Sequence, residues 1–496
     1  MDDHEYLGRL TNPHLIQVLS QGHPPLHAGF ILLLWPFIQL TNWFRFDPII
    51  VIKLINILLA WGCLWLFYKL IKAFFPKINP LVASVLVALT PMFWIMNVTL
   101  LTENVYIFLF LLSLFTSYVF LKTKQNRWLI VTALALGLAY LTHQLITFYL
   151  PAFSLLLLLK PKQRQLKPIV ILGLVLTLGL VLANFFLAWL YTQRGFSLNQ
   201  ALTFTLTSKS ADFAQLGTFP LNLVRSFRNW LILSLRSFTN FSMILGSLGL
   251  VFWLRRNFRQ GIRLLLWLIP SFLAAQWWDG LLMGRHLLLA LFPLVLLIAY
   301  LIQNRQLLLF LTFFSLCLTS FGAMMLLRQP LPADLTQKTI QSLPQNGLLL
   351  ESHFLRPWIS YQGKTMYVNE PGTPQNFEQE INKSLADNKL VFLTSQALSD
   401  PYGVYTGPYL HPLSLSFNQP SKLSAILKNY QLTPYATISA QLHLTIYQIK
   451  NKFPEPDFVA DIVPAWQQNR LDFFDPLSQL WFLAKNFFIS DKIQTM

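Results

Sequence analysis

The chain has 496 residues, of which 54% are hydrophobic and 11% charged; a soluble domain is about 25% charged, so this apolar surface needs a bilayer as its solvent. The net charge of +17 lies entirely in residues 1–327, where 24 Lys and Arg face 7 Asp and Glu, whereas residues 328–496 hold 13 of each. Basic loops beside apolar runs are the mark of membrane anchoring, and a neutral soluble portion offers no basic face, so nucleic acid is excluded as a partner.

In chain order, residues 1–25 are polar, carry no signal peptide and are expected outside the membrane by the loop count below. That abrupt start leads to the expectation that the chain begins at an internal methionine and lacks a first, in-to-out helix. Residues 26–44, LHAGFILLLWPFIQLTNWF, are predicted to be an interfacial or re-entrant helix, introduced by Pro24-Pro25 and bent at Pro36. The alternative is an ordinary span with a different loop assignment. Apolar runs then predict about ten spans, at 48–71, 81–100, 104–121, 128–142, 145–159, 168–191, 241–254, 263–278, 287–302 and 307–327. The fourth and fifth are short for a hydrocarbon core of about 30 Å. The basic loops Lys69–Lys77, Lys122–Arg127, Lys160–Lys167, Arg255–Arg263 and Arg305 all fall on one side, assigned to the cytoplasm. Residues 101–103, 143–144, 192–240, 279–286 and everything after 328 fall on the other.

After Leu327 the composition changes. Residues 347–352, 364–370, 389–395 and 443–450 read as strands, and 375–388 and 420–431 as helices, the second followed by Pro434. Such alternation predicts an α/β domain over 328–452. No Gly-x-Gly-x-x-Gly or Walker motif indicates a nucleotide. The tail 453–496 is Pro-rich and then aromatic (Trp481, Phe482, Phe487, Phe488), suited either to the membrane surface or to packing on the domain. Cys63 and Cys317 lie in apolar runs and carry no redox or metal signal.

Ionisable side chains are scarce before residue 328, which makes each one informative. Three of the seven acids fall in the cluster Asp2-Asp3-His4-Glu5-Tyr6. Carboxylates at a membrane face serve as a general base, as metal ligands or as a solvated chain end. Gly22-His23-Pro24-Pro25-Leu26 follows. Glu103 is the sole acid between Asp47 and Asp212, and it opens a predicted helix, where the helix dipole alone would favour it. Gly137-Leu138-Ala139-Tyr140-Leu141-Thr142-His143 and Gly284-Arg285-His286-Leu287 also fall on the outer side.

In this order, these motifs resemble the GT-C glycosyltransferases related to protein O-mannosyltransferases and lipid A aminoarabinose transferases. There an Asp-Glu-x-x-Tyr motif follows the first helix, and a His/Lys-Pro-Pro-Leu motif opens a juxtamembrane helix. Pro91, Thr102-Glu103-Asn104, the Gly-Leu-Ala-x-Leu-Thr run and Arg285 with Pro293 continue the likeness over residues 1–300. Asp3 in the motif's second position (or Glu5 in the role of its Glu), which leaves open which carboxylate is the base, and His143 where a Lys is common depart from the pattern.

The apolar runs and the strand–helix alternation predict about ten transmembrane helices, an interfacial helix and a C-terminal extramembrane α/β domain, divided as 1–47, 48–327, 328–452 and 453–496. The resemblance implies that this polytopic α-helical membrane protein is of the GT-C type. It also implies transfer of a sugar from a polyprenyl-phosphate donor to a protein, lipid or polysaccharide acceptor at the outer face of the cytoplasmic membrane. Asp2, Asp3 and Glu5 would be catalytic, Asp2 being the preferred base, with the others positioning acceptor or a divalent cation. Tyr6, His23, Glu103, His143, Arg285 and His286 would bind substrate, Arg285 and His143 at the lipid phosphate. Arg285 as a plain interfacial anchor remains the alternative. A lipid or polysaccharide transporter and a non-catalytic envelope assembly factor are the competing classes. Against the transporter, the spans show no internal repeat and almost no interior acids.

Overall fold

The structure is a computed structural model. It describes residues 2–21, 26–44, 46–98, 102–158, 166–205, 240–274, 288–327, 332–352, 360–368, 376–394, 397, 422–427, 429–439 and 443–452. The chain divides into two compact units, residues 1–320 and 321–496.

The first unit is helical. Short helices α1 (Asp2–Thr11) and α2 (Leu15–Ser20) precede α3 (Ala28–Phe44), which runs through Pro36. The Asp47 side chain accepts the Ile49 N–H at 2.8 Å, and with Pro48 in the first helical position it starts α4 (Pro48–Phe74). Asn79 and Pro80 start α5 (Pro80–Leu89) in the same way. The single span predicted over 81–100 is two helices: Thr90 is extended, as a residue before proline tends to be, and Pro91 opens α6 (Pro91–Val98).

Glu103 opens α7 (Glu103–Thr123), which ends where Lys124 adopts a left-handed backbone; α8 spans Arg127–Thr142. The fifth predicted span is a 3₁₀ segment, Gln144–Leu158, containing Pro151. Then come α9 (Leu166–Thr192), α10 (Asn240–Arg256), α11 (Phe258–Ala274), α12 (Leu288–Ile302) and α13 (Gln306–Leu327).

Helices α4, α7 and α9 are each long and apolar enough to cross a membrane. Helices α4 and α9 keep large apolar side chains such as Leu58, Trp61, Leu174 and Leu182 on their exposed faces. An apolar exterior of that kind is a lipid-facing one, and the chain is a membrane protein. Inside the bundle, α7 packs on α4 and α8, and α8 on α9 and α3. A hydrogen bond of 2.8 Å between the hydroxyls of Thr116 and Thr132 links α7 to α8.

Among the described residues, several helix ends gather in two groups. In one, the Gln303 amide bonds the backbone of Lys77 and Asn79, Gln260 donates to the Phe74 carbonyl, and Trp253 lies against Phe75 and Tyr300. Residues 69–77, 255–263 and 303–305, assigned to one side from their basic charge, therefore meet. In the other, Tyr6, His27, Tyr106 and His143 meet.

The second unit holds helix α14 (Pro332–Gln341) and a five-stranded sheet in the order β2-β1-β3-β5-β4. Strands β1 (Leu348–Ser352), β2 (Lys364–Val368) and β3 (Val391–Thr394) are parallel; β4 (Tyr430–Ser439) and β5 (His443–Lys452) add antiparallel pairs. Helices α15 (Phe377–Ala386) and α16 (Lys422–Leu427) supply Phe377, Ile381, Leu423 and Leu427 to a core with Leu350, Leu393 and Ile449. On the opposite face of the strands, Thr394 donates to the buried Glu351 carboxylate at 2.6 Å.

One expectation here is corrected. The helix predicted to run to 431 stops at Leu427, and Tyr430 begins β4. Pro434 is tolerated there because β4 is an edge strand and its register shifts between Pro434 and Ala436. The tail 453–496 lies outside the described residues.

Candidate active site

The acidic motif occupies the first turn of α1, where the positive end of a helix favours carboxylates. The side chains of Asp2, Asp3 and Glu5 lie outside the described residues, as do His23, Arg285 and His286 in full. What the structure describes is the frame that carries the acidic helix and the residues meeting its Tyr6.

Helix α3 fixes the far end of α1. The Trp35 indole donates to the Asn12 carbonyl at 2.8 Å, and the Gln39 amide to those of Leu10 (2.8 Å) and Asn12 (3.2 Å). Carbonyls left over at the C-terminal end of α1 are thereby satisfied. The buried Arg9 guanidinium donates to Val18 O, from Nε at 3.1 Å and from Nη2 at 3.0 Å, and to Leu26 O at 2.8 Å. One side chain therefore ties α1 to both sides of the segment that contains His23-Pro24-Pro25. Arg9 is the only Lys or Arg before residue 45, which was its signal in the sequence.

Five buried rings then form a chain. Phe30 and Tyr6 are 5.0 Å apart between centroids, Tyr6 and His27 5.7 Å, His27 and His143 5.5 Å, and His143 and Tyr106 5.3 Å. Helix α1, the start of α3, the end of α8 and the first turn of α7 thus converge. Glu103 is 1% exposed, and it lies three residues before Tyr106, on the same helix face. Of the residues singled out from sequence, Tyr6 and His143 both lie against His27, and Glu103 stands one helical turn before Tyr106, which lies against His143.

The hydrogen bonds fix how each imidazole is used. Leu145 N–H donates to His143 Nδ1 at 3.3 Å, so neutral His143 carries its proton on Nε2. It is therefore a donor without being charged, and can act on an anionic oxygen in the neutral form. His27 Nδ1 lies 2.6 Å from the Thr142 carbonyl, which only accepts, so this nitrogen bears the proton. Sequence reasoning passed over His27. Its signal was the His-x-x-x-His spacing to His23, which Pro24-Pro25 exclude from a helical metal pair. Among the described residues no three His, Cys, Asp or Glu side chains gather as a metal would need.

Residues 23–189, about a third of the chain, match the model of a family described as dolichyl-phosphate-mannose-protein mannosyltransferase, a family of membrane glycosyltransferases with the GT-C fold. The match contains His23, His27, Glu103, Tyr106 and His143; it begins after the acidic motif and ends before Arg285. No curated protein matches the chain.

Proposed function

Taking that family match as the premise, we propose that the chain is a glycosyltransferase that moves a sugar from a polyprenyl-phosphate donor to an envelope acceptor at the outer face of the cytoplasmic membrane. The observation that carries this reading is the convergence of Tyr6, His143 and the Glu103 turn at one end of the bundle. The acidic helix, which lies outside the family match, is joined there to residues within it. A polyprenyl-phosphate mannose is the first donor to consider, because the family's description names a lipid-phosphate mannose; the acceptor class spans protein, lipid and polysaccharide.

In this reading an acceptor hydroxyl attacks the anomeric carbon while a carboxylate of the acidic motif, Asp2 in preference to Asp3 or Glu5, removes its proton. The bond from the anomeric carbon to the phosphate oxygen breaks, its electron pair leaves with polyprenyl phosphate, and the configuration inverts. Negative charge grows on that oxygen, and Arg285 with the Nε2–H of His143 stabilises it. Tyr6, His23, Glu103 and His286 position the substrates, and a divalent cation at the acidic motif would help orient the acceptor. A long lipid donor suits a protein with an apolar exterior, since the donor is delivered within the bilayer plane.

The test is a transfer assay in membranes with a panel of polyprenyl-phosphate sugars, comparing wild type with Asp2→Asn, Asp3→Asn and Glu5→Gln. Loss of the base lowers the rate by about 10²–10⁴-fold in one of the three, with normal membrane insertion. Transfer undiminished in all three would sink the assignment of the base. A wild type inactive with every donor would return the protein to the transporter class.

A further inference from the structure

We propose that His27 is a positioning residue of the transfer site, acting through its grip on the carbonyl beside His143. The proposal rests on the glycosyltransferase reading above and extends it to a residue outside the motifs.

His27 has a left-handed backbone, φ 47°, a conformation unfavourable for a side-chain-bearing residue that persists where surrounding contacts demand it. The contacts here are specific. Its Nδ1–H meets the Thr142 carbonyl at 2.6 Å, short for an N–H···O bond. Tyr6 meets its ring edge-on at 88°, and His143 lies on it at 51°. Two residues further on, Gly29 lets the start of α3 approach the last turn of α8. The left-handed turn therefore aims the imidazole back at the end of α8, between the acidic helix and His143.

Thr142 O is one of the carbonyls that a helix end leaves without a partner, so His27 caps α8. The next residue in the chain is His143. A bond to the carbonyl of its preceding peptide restrains the rotation of that peptide, and with it the direction of the His143 side chain. Held in this way, His143 Nε2–H meets charge as it develops on the leaving phosphate, an interaction stronger in the transition state than in the ground state. Removing the grip should lower kcat more than it raises KM.

Asparagine separates this role from simple space-filling. Its amide nitrogen sits about where imidazole Nδ1 does, and it tolerates a left-handed backbone. Leucine fills similar space with no donor, and glutamine carries its amide one bond too far.

The experiment uses the full chain in membranes and the polyprenyl-phosphate sugar that wild type transfers best. His27→Leu is expected to lower kcat about tenfold with KM for the donor changed less than twofold, and His27→Asn to recover kcat to within about threefold of wild type. In a His143→Ala background, His27→Leu adds no further loss, because its effect passes through His143. If His27→Leu fails to accumulate, His27→Gln replaces it, with the same losses expected. Unchanged kcat in the folded variant, equal losses for Asn and Leu, or a full additional loss on top of His143→Ala would each overturn the proposal. An inactive wild type would instead sink the transferase reading, so the two failures are told apart.

Discussion

Arg9 illustrates how a membrane protein uses its few charges. A buried guanidinium is tolerated where carbonyl oxygens meet it, and here Val18 O and Leu26 O do so at 2.8 to 3.1 Å. Arg9→Leu strands those two acceptors and releases the segment between them. The expected cost is about 2–3 kcal/mol, read as a lower melting temperature in detergent. Arg9→Lys should fall between, since a point charge lacks the fork that serves both carbonyls. An unchanged melting temperature in Arg9→Leu would mean that the strap is dispensable. The sequence made Arg9 conspicuous by its isolation but gave no hint of its partners, because a carbonyl is available at every residue. His27 was obscured differently. A left-handed backbone at a histidine has no composition signature, and the motif at His23 drew notice to that imidazole alone.

At the scale of elements, the close approach of α3 to α8 turns on Gly29. A Cβ there would stand 2.3 Å from Leu138 O and 2.7 Å from Thr142 N, backbone atoms that cannot step aside. Gly29→Ala is therefore expected to destabilise by about 1–3 kcal/mol in a detergent melt. Gly173, on α9, has nothing beyond its own stretch of helix within 4 Å of its Cβ position, so Gly173→Ala should be neutral or slightly stabilising by the helix preference for alanine. Equal effects of the two substitutions would remove the steric explanation. Helix limits were well marked in the sequence where a cap and a proline coincide, as at Asp47-Pro48 and Asn79-Pro80. The break at Thr90-Pro91 was equally visible, yet the apolar run across it reads as a single span because hydropathy ignores hydrogen bonding. Strand β4 went unrecognised because Pro434 argues against a strand unless that strand is known to lie at an edge, and edge position is a property of the sheet.

At the scale of the molecule, the gathering of the loops at residues 69–77, 255–263 and 303–305 agrees with an assignment made only from positive charge. If those loops face the cytoplasm, the ring cluster faces outward, and the loop count made from sequence assigns everything after 328 to that outer side. Alkaline phosphatase fused after Met496 in a bacterial inner membrane is then expected to be active, and green fluorescent protein at the same point dark. Bright fluorescence there would reverse the orientation and remove the proposed outer-face acceptor.

The sequence by itself determined that this chain lives in a bilayer and where most of its helices run. It also ordered the motifs that resemble a glycosyltransferase. Those properties follow from composition, periodicity and local backbone chemistry, which are additive along a chain. Only the tertiary structure decided that Tyr6, His27, His143 and Tyr106 form one contiguous row, that Arg9 ties down both sides of the Pro-Pro segment, and which nitrogen of His27 and of neutral His143 carries the proton. The row of rings and the Arg9 strap depend on contacts between residues distant in sequence, 9 positions apart for Arg9 and Val18 and 116 for His27 and His143, whereas the His143 proton is set by Leu145 two residues on; the distant contacts exist only once the helices have packed.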